Sequence, residues 1–369
     1  MTIRTIHRDP PLTEQIAAHA AQEPGKEDSP NTFISTGATL LNLALSDRPD
    51  GGFLPGKIVN VIGDSSSGKT FQCLSLLAEA AHNPEQDDYL LVYDDAEAAS
   101  EFNLVKLFGQ KTAERILPPS LDQNDPSHSQ TMMDFQSSVR HLLSGDKPFI
   151  YIQDSFDALT TDEELKHAAD LQKAHDAGKE AKGTYGMEKA KQASILLRLI
   201  AADIKRTKSL VVIVSQTRDN IDPMSFQRRT RAGGKALYFY CSYELWLAVA
   251  GKITTKVNDR SHALGVTSRV KISKNKFNGK IREVDLPIYY DLGVDDVGAC
   301  VDYLLQEKWW LKSGTGIVTA TELKIAATRA KLIAQIEERG LIDRLHSITA
   351  HCWKSVEAKL DLGRKRRYE

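Results

Sequence analysis

The sequence predicts an α/β fold, a mostly parallel central sheet flanked by helices, with a short N-terminal helical segment before it and a small C-terminal helical domain after it. Three observations carry this expectation. Between residues 32 and 290, apolar runs of strand length alternate with stretches of helical period, as strand–helix–strand crossovers require. The apolar runs are continuous, which suits strands covered on both faces. Beyond Asp291 no strong strand signal remains, and the pattern turns helical to about Leu362.

In chain order, residues 1–31 hold a helical candidate, Thr13 to Gln22, and then a polar stretch over 22–30, containing Pro and Gly, that reads as a linker. The first domain boundary is placed there. Strands are expected at Lys57–Ile62, Tyr89–Tyr93, Phe149–Ile152 and Leu210–Val214, each a short run rich in branched or aromatic residues. Helices near 69–82, 129–144 and 187–207 separate them. Later strands near 243–250, 266–273 and 281–290 follow without long helices between them, which predicts antiparallel pieces at one end of the sheet. The expected units are therefore 1–31, a core over 32–290, and a helical unit over 291–369 that ends in the basic run Arg364–Arg367. No internal repeat is visible.

Composition narrows the function classes. With 369 residues, 41% of them hydrophobic, the chain can bury a sizeable core. Its 48 Lys+Arg balance 49 Asp+Glu, so any nucleic-acid binding must come from local clusters and not from bulk charge. Cys73, Cys241, Cys300 and Cys352 are scattered, with no C-x-x-C pair, which argues against a disulfide framework or a zinc site. The N-terminus lacks the apolar run of a signal peptide, and no stretch approaches the ~20 apolar residues that span a bilayer. A cytoplasmic protein with no membrane partner is expected.

The sharpest chemical signal is Gly63, Asp64, Ser65, Ser66, Ser67, Gly68, Lys69 and Thr70, which match G-x-x-x-x-G-K-[ST] after an apolar strand and at the start of a helix. Glycines let the backbone wrap phosphates, N–H groups and the helix N-terminus favour negative charge, and Lys69 adds a point charge. Thr70 would place its hydroxyl on Mg²⁺. A second carboxylate must complete the magnesium sphere, and Asp154 ends the apolar run from Phe149. A third must orient and deprotonate the attacking water. Glu97 is the candidate, with Asp95 the alternative as a plain surface residue. ATP and Mg²⁺ are the expected ligands.

These residues resemble the RecA family of strand-exchange recombinases, across Phe33 to about Trp310. The resemblance is carried by Ile34–Gly37, Leu54–Val59, the GDSSSGKT loop, Asp95–Glu97, Gln153–Ser155, Val214–Gln216 and Arg231–Tyr240, in the family's order and near its spacing. Departures from the bacterial members point to the phage, UvsX-like, branch. The resemblance implies a RecA-like ATPase core, Glu97 as catalytic carboxylate, and Gln216 as the amide that reads the γ-phosphate. It also implies that Lys274 and Lys276 reach a neighbouring protomer's ATP site, and that residues 1–31 serve oligomerisation. At the adenine, Glu101 matches the family's acidic residue, whereas Leu104 falls where a tyrosine is expected. The family's acidic tail is replaced by a basic one.

Binding single strands without sequence preference needs cations along the backbone path and flat or apolar side chains against the bases. One long loop over 217–234 supplies Arg218, Ile221, Met224, Phe226, Arg228, Arg229, Arg231, Gly233 and Gly234. The family's first DNA loop falls between Asp154 and the helix near Met187, within about 160–190, with Tyr185 and Gly186 at its tip and Tyr185 as the stacking candidate. The charged stretch Thr161 to Lys182 is expected to form an additional helix. The resemblance thus implies an ATP-dependent recombinase that forms a filament on single-stranded DNA, pairs it with homologous duplex DNA and binds ATP between protomers. Single-strand-binding or mediator proteins would be its partners in a bacterial cell or a phage's host. The alternatives on the same core are a hexameric helicase motor and a non-catalytic recombination accessory protein.

Overall fold

The computed structural model describes residues 33–98, 102–120, 128–166, 187–219, 229–231 and 234–365, with the side chains of 187–188, 218–219, 229–231 and 234–235 left aside. The expected helix at Thr13–Gln22 lies outside this set. Among the described residues one sheet runs in the order β10-β9-β8-β7-β1-β5-β4-β2-β3. Its parallel half comprises β1 (Lys57–Gly63), β2 (Leu90–Asp95), β3 (Ile116–Leu117), β4 (Phe149–Asp154) and β5 (Leu210–Asp219). Beside β5, Arg229–Arg231 forms β6, antiparallel to it. Strands β7 (Tyr243–Val257), β8 (Arg260–Asn275), β9 (Glu283–Tyr289) and β10 (Gly293–Val294) add the expected antiparallel end.

Continuous apolar runs serve two cores at once, because successive side chains point to opposite faces. Val59, Val61, Leu91, Ile150, Ile152, Val212 and Val214 enter one core with helices α1 (Thr39–Ser46) and α2 (Lys69–His82). Ile58, Val92, Phe149, Tyr151, Val211 and Ile213 enter the other. That second core is covered by α5 (Met132–Ser144), α6 (Met187–Thr207) and α7 (Gly234–Tyr240), while α3 (Leu104–Phe108) and α4 (Gln110–Arg115) lie before β3. Helix α1 has no counterpart among the sequence expectations. All eight of its residues are buried, so it shows no amphipathic period.

Three expectations need correction. The region after Asp291 is not purely helical: α8 (Asp296–Gln306), α9 (Arg329–Glu338) and α10 (Ile342–Lys359) enclose a three-stranded sheet of β11 (Leu311–Lys312), β12 (Ile317–Ala320) and β13 (Ile325–Thr328). Strands this short give no readable period, and Leu311 and Lys312 are both exposed. Their shared core includes Trp310, Val318, Ile325 and Leu332. Second, β7 and β8 run well past the expected ends as a hairpin closed by Asn258 and Asp259, both at positive φ, as a tight two-residue turn requires. Third, the 217–234 segment is not one open loop, because Thr217–Asp219 pairs with Arg229–Arg231.

The four cysteines are free and buried. Among the described residues, no helix is long and apolar enough to cross a membrane. In the charged stretch, residues 162–166 are helical, opened by Thr161 and Glu164, whose side chains each accept the other's N–H. The rest of that stretch lies outside the described residues.

Candidate phosphate-binding site

The loop between β1 and α2 owes its shape to two glycines. Gly68 has φ +94, a conformation that demands glycine, and a Cβ there would also push the Ile288 Cδ1 methyl, 2.4 Å away, aside. A Cβ on Gly63 would meet Leu247 O and Ser67 Oγ at 2.5 Å. Ser67 Oγ donates to Asp64 O at 2.7 Å, and Ser268 Oγ of β8 donates to Ser67 O at 2.6 Å. The antiparallel half of the sheet thereby braces the loop.

Lys69 Nζ donates to its own loop, to Gly63 O at 2.9 Å and Asp64 O at 2.8 Å. Burial pulls its pKa down, against the opposing carboxylates of Asp154 and Glu97. Thr70 Oγ1 donates to Asp154 Oδ2 at 2.7 Å, and Tyr93 OH reaches the same oxygen at 3.2 Å. Asp154 is itself raised, first by burial. The Thr70 and Tyr93 hydrogen bonds and Lys69 oppose this shift, and the nearby Glu97 charge adds to it. A buried carboxylate beside a hydroxyl is an all-oxygen donor pair, and Mg²⁺, which keeps several waters, is commonly held by so few protein ligands. The residues fit the ion.

Glu97 follows β2 in a turn closed by Ala98 N–H to Asp95 O at 3.0 Å. Its Oε1 accepts from Gln216 Nε2 at 2.9 Å and from the Ser155 hydroxyl. Gln216 is itself fixed, its N–H donating to Asp157 Oδ2 at 2.7 Å. Three strand ends, from β2, β4 and β5, therefore converge on one carboxylate. Parallel pairing explains this: Asp95 lies opposite Asp154, and Gly63 opposite Gln216. Carboxyl ends of adjacent parallel strands come together by construction.

A cavity of about 460 Å³ opens beside the loop. Its lining includes Lys69, Thr70, Glu97 and Asp154 and, unforeseen, Phe102 and Tyr290. Phe102 packs on Phe71 with ring centroids 4.8 Å apart, and Tyr290 is 51% exposed. Leu104 does not line the cavity. The signal for these aromatics was weak, because Tyr290 is distant in sequence and Phe102 lies two residues from the expected position.

Lys274 and Lys276 are not brought to this cavity. They sit at the end of α7, where Lys274 Nζ lies 4.3 Å from the Tyr238 ring centroid and donates to Tyr238 O. Lys276 Nζ donates to Phe239 O at 3.2 Å. Of the expected DNA-contacting residues, Tyr185, Gly186, Ile221, Met224, Phe226, Arg228 and Gly233 lie outside the described residues, as does Glu101. For Arg218, Arg229 and Arg231 only the paired backbone is described, and Gly234 opens α7.

With that geometry in place, similarity to known proteins bears on it. The RecA N-terminal domain, as a protein family, matches residues 23–295. The chain is 29% identical to Protein RecA of Dichelobacter nodosus over 303 residues, covering 82% of this chain and 75% of that protein. It is 30% identical to Protein RecA of Zymomonas mobilis over 269 residues, 73% of this chain and 67% of that one. Protein RecA of Paracoccus denitrificans is 29% identical over 281 residues, 76% of this chain and 70% of the relative.

Proposed function

The chain belongs to the RecA family, and from that premise we propose that it is an ATP-dependent DNA recombinase, filamentous on single-stranded DNA, that performs homologous pairing and strand exchange. The observation that carries this is the convergence of Lys69, Thr70, Asp154 and Glu97 on one cavity, with Gln216 hydrogen-bonded to Glu97. An accessory protein that never turned over ATP would have no need of the full set.

In this reading Lys69 leaves the Gly63 and Asp64 carbonyls to bind the nucleotide's phosphates, and Thr70 and Asp154 hold Mg²⁺. The ion supplies charge neutralisation on the phosphate oxygens. Glu97 takes the proton of the attacking water. Gln216 links the γ-phosphate position to β5, whose far end begins the 217–234 segment. That link is how hydrolysis and DNA would be coupled. Phe102 and Tyr290 flank the base, replacing the stacking that Leu104 does not offer. This departure favours the phage branch. Residues 1–31 serve oligomerisation, and Lys274 and Lys276 complete a neighbouring protomer's ATP site, in the cytoplasm of a bacterial cell or a phage's host.

The test is ATP hydrolysis with and without single-stranded DNA, on wild type and Lys69→Ala. Stimulated turnover that falls at least ~100-fold in the variant is expected. Undiminished turnover in Lys69→Ala sinks the phosphate-site assignment. Closed rings instead of filaments on single-stranded DNA, seen by electron microscopy, would favour a helicase motor.

A further inference from the structure

Behind the Asp95–Glu97 turn, on the opposite face of β2, lies a polar cluster with no part in the reading above. Asp94 is a carboxylate with 0% exposure. It shares its face with Tyr151, whose OH donates to Asp94 Oδ2 at 2.5 Å, and Ser129 N–H donates to Asp94 Oδ1 at 2.9 Å. His128 stands beside it, with Nδ1 accepting the main-chain N–H of Asp95 at 2.8 Å. The same Nδ1 is 3.6 Å from Asp94 Oδ1. One ring nitrogen thus faces both an amide donor and a carboxylate.

These two partners need different protonation states. A neutral imidazole can accept from Asp95 N–H, whereas an imidazolium carries a proton on both nitrogens and accepts nothing. With Nδ1 protonated, its natural partner is the Asp94 carboxylate, already within a small ring movement. The Asp95 peptide is the anchor of the catalytic turn. Its N–H is held by His128, its C=O accepts from Ala98 N–H, and Glu97 lies between.

We propose that His128 is a proton-controlled positioning residue: the neutral ring holds the Asp95 amide and with it Glu97, and the protonated ring releases the amide for Asp94. This rests on the assignment of Glu97 as the base for ATP hydrolysis. The titratable groups facing His128 among the described residues are Asp94 and Asp95 of β2, with Tyr151 of β4 behind Asp94. The Asp94 carboxylate beside Nδ1 lifts the His128 pKa, burial opposes that, and the charge of Asp95 adds to the lift. Its side chain is 39% exposed, so protons reach it from solvent. The His128 pKa is thus held above its ordinary value, and activity falls as pH drops through it.

Two substitutions separate the roles. His128→Asn keeps an acceptor where Nδ1 stood but does not titrate, whereas His128→Leu removes it. His128→Leu should lower kcat by roughly 10- to 100-fold, as expected for a displaced catalytic group, with KM for ATP little changed. His128→Asn should retain most of kcat and lose the acid limb of the pH–rate profile. In the nucleotide-free wild type, the Asp95 amide resonance should shift with the His128 titration, and this shift should vanish in His128→Asn. If His128→Leu does not fold, His128→Asn and the resonance decide. Wild type without ATPase activity would defeat the hydrolysis assignment. An active wild type whose acid limb persists unchanged in His128→Asn, or whose Asp95 amide ignores the titration, overturns the role of His128.

Discussion

At the scale of single residues, each member of the proposed catalytic set sits in a local sequence pattern: the glycine-bounded loop, and carboxylates or amides just past apolar strands. The sequence favours Glu97 over Asp95, and both Gln216 and Ser155 donate to Glu97. The exceptions are informative. The aromatic residues of the cavity are not legible in sequence because Phe102 and Tyr290, distant in the chain, come to one cavity only through the fold. Truncating Tyr290 to Ala should raise KM for ATP by roughly tenfold, since an aromatic contact contributes about 0.5–1.5 kcal/mol beyond burial. Because the base is remote from the reacting phosphorus, kcat should change little. Steady-state kinetics make the comparison, and an unchanged KM would remove Tyr290 from the base site.

At the scale of elements, β8 joins two sites. Its middle braces the phosphate loop through Ser268, and its end, through Lys274 and the following Lys276, reaches the carboxyl end of α7. Helix α7 begins at Gly234, where the 217–234 segment ends. Carbonyls at a helix C-terminus attract cations, which accounts for where the lysines rest in a single chain. If they act on a neighbour's γ-phosphate, Lys274→Ala and Lys276→Ala subunits should bind ATP normally yet lose about 100-fold or more in turnover within the filament. Mixing either with Glu97→Ala protein should restore part of the activity, because some sites then combine intact halves from two chains. Absence of rescue at every mixing ratio would argue against shared sites. The hairpin of β7 and β8 was underestimated in sequence because its outer half is exposed and polar, and pairing alone extends it.

At the scale of the whole molecule, the region after Asp291 is tied to the core by half-buried charge. Asp296, at the start of α8, accepts from Thr39 N–H at 2.6 Å and Thr39 Oγ1 at 2.8 Å, and pairs with His346 of α10 at 2.8 Å. Burial lowers the His346 pKa, but the hydrogen bond and charge of Asp296, with Asp343 and Glu79 beyond, outweigh it and hold it above its ordinary 6.5. A histidine raised on folding adds stability below its unfolded pKa, and loses that contribution as pH rises through the folded value. Denaturant unfolding should therefore show wild type ahead of His346→Leu near pH 5.5, with the gap narrowing by pH 8.5; a constant gap would mean that the pair does not titrate with folding. The sequence by itself determined the α/β class, the order of the parallel strands' motifs and the phosphate loop, because these depend on short-range periodicity and on residue types that few other local structures tolerate. Tertiary structure alone decided the short strands after Asp291, the aromatic pair at the cavity and the His128–Asp94 cluster, because each brings together residues that chain folding, and no local preference, makes neighbours.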